Sequence, residues 1–159
     1  MAKIQHFSKV SLNVLLAVVL LMVPQLAAAA GEQTAAKTAP PPLEMKPMAS
    51  YTGYTYLKSS SINVQSNANQ SITILATTDA HAAVQEVGVT IQLQEWTGSS
   101  WINLVPIANN VEYGADYASG TLTRSSKAGY YYRAKVTHYA KQGTTTESVV
   151  EYSASFLAK

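Results

Sequence analysis

His81 and His138 are the imidazole bases that the chain offers after its first fifty residues. A serine or threonine nucleophile needs such a base within hydrogen-bond reach. "TDAHA", Thr78 to Ala82, places Asp79 two residues before His81, an orienting carboxylate and a base in principle. Asp readily bonds to nearby backbone, so the same letters also spell a polar turn after a strand, and that is the expectation here. The acids Asp79, Glu86, Glu95, Glu112, Asp116, Glu147 and Glu151 follow no spacing that fixes a catalytic pair. The chain has no G-x-S-x-G, no phosphate loop and no H-E-x-x-H. Two histidines fall short of the three protein ligands usual in a catalytic zinc site. His138 is expected to be the half-buried, hydrogen-bonded end of a strand. "NNVEYGAD" gathers oxygens at Asn109, Asn110, Glu112 and Asp116 that a calcium ion could use, in a spacing that matches no established loop. These patterns predict no catalytic residue, no metal and no cofactor, with a hydrolase as the third choice among functions.

Aromatic residues are the more unusual resource, because all ten tyrosines and both tryptophans fall after residue 50. Rigid Tyr and Trp side chains give contact area at low entropic cost, which suits binding of proteins, peptides or glycans. "GYYYRAKVTHYAKQG", Gly129 to Gly143, alternates. With Ala134 and Val136 inward, Tyr130, Tyr132 and His138 share the inner face, while Tyr131, Arg133, Lys135, Thr137 and Tyr139 face out. Trp96 and Trp101 bracket the turn "TGSS"; Trp96 is expected to be the exposed member and Trp101 the buried one. The candidate binding residues are therefore Trp96, Trp101, Tyr131, Arg133 and Tyr139. They suggest recognition of a protein or envelope partner, with a carbohydrate or cell-wall ligand as the alternative.

Strands must position these residues, since short alternating runs recur between turn signals and no helical period is found from residue 51 onward. "YTYLKSSSINVQ" and "QSITILATT" flank "SNAN" as a hairpin, with Ile62, Val64, Ile72 and Ile74 on one face. "VQEVGVTIQLQEW" puts Val87, Val89, Ile91 and Leu93 on a buried side. "WINLVPI" follows, its Pro106 marking a strand end, and "ANNVEYGADYASG" is expected to be a loop. "TLTRS", the tyrosine strand and "TTTESVVEYSASF" complete the set. The last of these is expected to pair with the tyrosine strand, Glu147 or Glu151 lying across from Arg133 or Lys135, and "TTTESVV" to serve as an open edge. Turns about every ten residues indicate an all-β antiparallel sandwich of seven to eight strands.

Residues 1–30 have the three parts of a secretory signal peptide: Lys3 and Lys9, an apolar run ending at Pro24, and "AAAA" at Ala27 to Ala30. The run is shorter than the ~20 residues of a membrane span, so the mature chain is expected to start at Ala30 or Gly31 and to be secreted or envelope-associated, without a membrane span. Of eleven Lys and Arg, removing Lys3 and Lys9 leaves nine against nine Asp and Glu. A neutral chain lacks the clustered basic footprint of a nucleic-acid binder. Zero cysteine leaves an exported domain held by its core alone, a composition suited to a bacterial exporter. Residues 31–50, rich in Ala, Thr and Pro, are read as a disordered linker, leaving residues 51–159 as the β domain.

"SSKAGYYYRAKV" resembles the entry to the penultimate strand of immunoglobulin-like and fibronectin-like domains. The resemblance implies that the Tyr132 hydroxyl ties the preceding corner and that Ala134 stands where antibody domains carry a cysteine. Leu93, Gln94, Gly98 and Trp101, then Gly129 to Arg133, His138, Gly143, Glu147 and Ser148, are similar in order to a family of small secreted bacterial proteins of unknown function. That family implies no activity, cofactor or catalytic residue.

Overall fold

A computed structural model describes residues 34–42 and 51–159, which fall in one compact unit, and every regular element among them is a strand. The expected signal peptide and residues 43–50 lie outside the described residues. The strands are β1 (Leu57–Asn67), β2 (Ser71–Trp96), β3 (Trp101–Asn103), β4 (Ala108–Ser125), β5 (Tyr131–Gln142), β6 (Thr145–Tyr152) and β7 (Phe156–Leu157). All pairings are antiparallel.

These seven strands form one continuous sheet, in the order β1-β2-β5-β6, with β3 and β4 also on β2 and β7 on β5. Strand β2 organises it. Its first half lies between β1 and β4, and its second half between β5 and β4. The two halves bury opposite parities: Ile72, Ile74, Ala76 and Thr78 before the midpoint, Val87, Val89, Ile91 and Leu93 after it. The buried parity changes between Val84 and Val87, just past the Asp79–Tyr117 and Val84–Ala115 pairs between which the ladder with β4 loses register. There Ala80 to Ala83 oppose the single residue Asp116. Extra residues on one strand bend it and sharpen its twist, so the sheet curls and its halves close on a shared core. Ile72, Ile74 and Ala76 thereby meet Val89, Ile91, Leu93, Tyr132 and Val136. Each large aliphatic side chain in such a core contributes about 1.5–3 kcal/mol by leaving water.

Two expectations change here. Thr78–Ala82 is the bulge inside β2 rather than a turn, and Ala108–Gly120 is most of strand β4 rather than a loop. Asn, Glu and Asp favour turns locally, but the unpaired edge of β2 offers backbone partners all along this segment, and the ladder prevails. The β1–β2 hairpin does form around "SNAN", with Asn67 opposite Ser71 and Gln70 at φ 55°.

Strand β5 pairs with β6, as expected, and β6 ends the sheet order. Its inward face is the reverse of the expected one. Val136 lies opposite Glu151 and Ala140 opposite Glu147, while Lys135 meets Tyr152. Glu147 and Glu151 therefore leave Arg133 and Lys135 and turn toward the segment that leads into β1. Both Glu147 carboxylate oxygens accept backbone N–H bonds, from Thr55 at 2.7 Å, Tyr56 at 2.7 Å and Leu57 at 2.8 Å. Those three amides hold the carboxyl below its usual range against the opposing effect of desolvation. Tyr54 adds a bond from its hydroxyl to Ser148 O, so residues 51–57 partly cover the edge that β6 would otherwise present.

Candidate functional site

The outer face of the sheet, where β2, β3, β5 and β6 run side by side, gathers the candidate binding residues. The turn after β2 is closed by Thr97, whose hydroxyl accepts the amide of Ser100 at 3.1 Å, with Gly98 at φ +101°. That turn sets Trp101 opposite Trp96, the rings 5.2 Å apart and tilted by 54°. Strand register places Arg133 opposite Gln94, and Arg133 Nε donates to Gln94 Oε1 at 2.7 Å. Gln94 Nε2 in turn donates to Asn103 Oδ1 at 2.7 Å. The guanidinium is stacked between two rings, its carbon 4.4 Å from the Trp101 centroid and 4.3 Å from that of Tyr152. Tyr152, Arg133, Trp101 and Trp96 thus form a continuous stack across the sheet. Each cation–π contact is worth ~0.5–2 kcal/mol, more as water is excluded.

Exposure within this stack corrects the sequence expectation. Trp96 is 6% exposed and Arg133 8%, so neither stands free in water. Trp101 is half-buried and Tyr152 is 38% exposed. The roles of the tryptophans are exchanged because residues 34–42, expected to be disordered, lie against the Trp96 side: Trp96 Nε1 donates to Ala39 O at 3.1 Å. Gln94, Asn103 and Tyr152 were not candidates in the sequence. Tyr152 shares the outward parity of β6, but only the register reveals that it reaches Arg133.

Tyr131 and Tyr139 are half-buried on the same outer face. Tyr139 spreads over Gly88, where an added Cβ would fall 2.4 Å from the ring. Burial, with Glu86 beside it, raises the Tyr139 hydroxyl above its ordinary range. Glu86 binds Lys141 at 2.7 Å, and that bond raises the lysine. Tyr139 is thus a cover for the backbone, some distance in the ladder from Arg133.

The inner face holds the histidine chemistry. His138 is fully buried. The Thr78 hydroxyl donates to Gly88 O at 3.1 Å, so its oxygen must accept from His138 Nδ1–H at 2.8 Å. The lone pair of Nε2 then points toward Glu151 Oε2 at 3.8 Å and has no hydrogen-bond partner among the described residues. Burial lowers the imidazole below its ordinary range and outweighs the attraction of Glu151, so it is neutral. Ser60 Oγ donates to Glu151 Oε1 at 2.8 Å and Tyr51 Oη to the same oxygen at 3.1 Å; burial pushes the Tyr51 hydroxyl up to about 12. A hydroxyl nucleophile must bond to the base that deprotonates it. Here the serine bonds to the carboxylate, and the threonine that meets the imidazole spends its proton on a carbonyl. His81, the other histidine among the described residues, lies exposed in the β2 bulge, and Asp79 accepts from Ser59 Oγ at 3.1 Å instead of orienting it.

Tyr132 shows the corner bond that the sequence led us to expect. Its hydroxyl accepts Lys127 N–H at 3.0 Å and donates to Glu95 Oε2 at 2.8 Å. Burial holds its phenol above the ordinary range.

Among the described residues no three His, Cys, Asp or Glu side chains are placed to hold a metal ion. In the calcium candidate, Asn110 Nδ2 donates to Glu112 Oε1 at 3.1 Å and to Ser119 O at 2.8 Å. No helix among the described residues is long and apolar enough to cross a membrane.

No family model matches the chain, and no curated protein matches it. Among solved structures it is similar to a protein from Archaeoglobus fulgidus, at 12% identity and a TM-score of 0.32, over 65% of this chain and 98% of that one.

Proposed function

We propose that this chain is an exported, non-enzymatic recognition module that binds a protein partner at the cell envelope through the outer face of β3, β2, β5 and β6. The observation that carries this reading is the Tyr152–Arg133–Trp101 stack. Trp, Tyr and Arg are the residues enriched at binding hot spots, and side chains already fixed by stacking lose little entropy when a partner covers them. Val150, 48% exposed, continues the apolar surface beside Tyr152 on β6. An immunoglobulin-like sandwich is the finer description of the fold we favour, supported by the Tyr132 corner and by the two half-sheets that enclose one core. Export rests on the leader read in residues 1–30.

A glycan platform would want a coplanar row of open rings, and the tilt of Trp96 against Trp101, with Trp96 covered, favours a protein partner instead. The test is capture of envelope proteins by the intact exported chain and by Tyr152→Ala. Truncating this ring should weaken capture at least tenfold, while thermal stability shifts by less than about 1 kcal/mol, as for other partly exposed positions. Undiminished capture by Tyr152→Ala would remove this face from the function.

A further inference from the structure

The segment lying on Trp96 has the sequence Thr38-Ala39-Pro40-Pro41-Pro42. We infer that the Trp96 end of the outer face is a groove for extended proline-rich peptides, filled in this chain by its own residues 35–42 and open to a proline-rich segment of another protein when these leave. The inference rests on the recognition reading of this face and names the chemistry of its ligand.

Three features define the groove. The first is the indole bond: Trp96 Nε1 donates to Ala39 O, the carbonyl just before the first proline. A residue preceding proline is confined to extended conformations, and a proline run keeps that shape at low entropic cost. An aromatic side chain giving its N–H to such a segment is a recurrent way of reading polyproline helices. The second feature is the groove floor, made by a missing side chain. A Cβ on Gly129 would fall 2.6 Å from Ala35 O and 2.8 Å from Lys37 Cγ. Lys37 N donates to Gly129 O at 2.7 Å, a main-chain bond made where the segment bends at Lys37 and Thr38 before it runs on into the prolines. The third is the proline seat, since Pro41 is buried while Pro40 and Pro42 on either side are exposed. Beside Trp96, the Trp101 indole N–H is buried and without a hydrogen-bond partner among the described residues, a second donor available to a ligand carbonyl.

The occupant is lightly held. Among the described residues, the Trp96–Ala39 and Lys37–Gly129 bonds are the hydrogen bonds between this segment and the sheet. A segment held by two hydrogen bonds opens more readily than a strand held by a full ladder. A tethered segment still competes at ~millimolar effective concentration, so it screens the groove against weak ligands in trans.

The test uses the full exported chain and a synthetic peptide of sequence TAAKTAPPPLE, Thr34 to Glu44. With only two tryptophans in the chain, the Trp96 indole N–H resonance is readily separated. Substituting Pro40→Gly, Pro41→Gly and Pro42→Gly together should move this resonance, and adding the peptide should return it. The intact chain should need at least about tenfold more peptide for the same occupancy, because its groove is mostly filled. A resonance indifferent to the substitutions, or a released groove that ignores the peptide, overturns the proposal. If the triple variant loses its dispersed spectrum, Lys37→Pro, at an exposed position, removes the main-chain donor and carries the same two outcomes. Should the intact chain dimerise with the Trp96 resonance unchanged, the occupant in trans is a second copy, and the assignment to a foreign peptide fails. Because this experiment contains purified components and reads Trp96, it can fail while Tyr152-dependent capture stands, and the reverse.

Discussion

Tyr132 shows how one side chain joins a turn to a core. Its ring is 1% exposed and its hydroxyl serves two partners, the Lys127 amide and the Glu95 carboxylate. Replacing it with phenylalanine keeps the packing and strands both partners, a loss of about 1–3 kcal/mol. Tyr132→Ala adds a cavity and should cost ~3–5 kcal/mol. Tyr131, one position away on the half-buried outer face, should cost under ~1 kcal/mol on truncation. Chemical denaturation of the three variants checks the ordering, and equal losses at positions 131 and 132 would contradict the facing of β5. His138 belongs at the same scale. Its neutral ring is fixed by Thr78 on one side, and burial, which outweighs the attraction of Glu151 on the other, makes a proton there costly.

At the level of elements, the junction between β6 and the entry to β1 depends on one carboxylate. Glu147 closes the curl of the sheet by taking the amides of residues 55, 56 and 57, where the chain enters β1. Hydrogen bonds from backbone to a charged acceptor are among the stronger ones, though partial exposure reduces their worth. Glu147→Ala should therefore cost about 1–2 kcal/mol, with faster amide exchange confined to Thr55, Tyr56 and Leu57. Exchange that stays slow at these three amides would show that the clamp is redundant. A comparable economy holds the β2–β5 ladder, where Tyr139 shields Gly88 and a methyl group at that glycine would displace the ring.

For the whole molecule, the two buried or clamped groups give stability a defined pH dependence. His138 has a folded pKa below its ordinary 6.5. Between those values the unfolded chain binds more protons than the folded one, so stability falls as pH drops below about 6.5 and levels off beneath the folded pKa. Glu147 has a folded pKa below its ordinary 4.5. Its contribution is complete above that value and is lost as pH falls through the folded pKa. Melting temperature against pH should show both declines, and His138→Gln should remove the upper one while leaving the lower. An unchanged upper decline in that variant would place the responsible group elsewhere.

Alternation alone settled much of this protein before any folding was considered. Val87, Val89, Ile91 and Leu93, and equally Tyr132, Ala134 and Val136, could face only one way, because a strand's side-chain period of two permits one apolar face. The β1–β2 hairpin was legible because turn residues act within a few positions, and the corner tyrosine through the resemblance of its stretch to immunoglobulin-like domains. Register and covering surfaces were not legible, since they depend on which strand borders which. The parity change in β2 looked like two strands and a turn, whereas the β4 ladder runs on both sides of it and makes it a bulge. Glu147 and Glu151 looked like surface partners for Arg133 and Lys135, until the pairing of β6 turned them inward. Trp96 and Trp101 were equivalent letters on either side of one turn. Their exchange of roles came from residues 34–42, nearly sixty positions earlier, because burial is set by whatever chain segment arrives to cover a side chain.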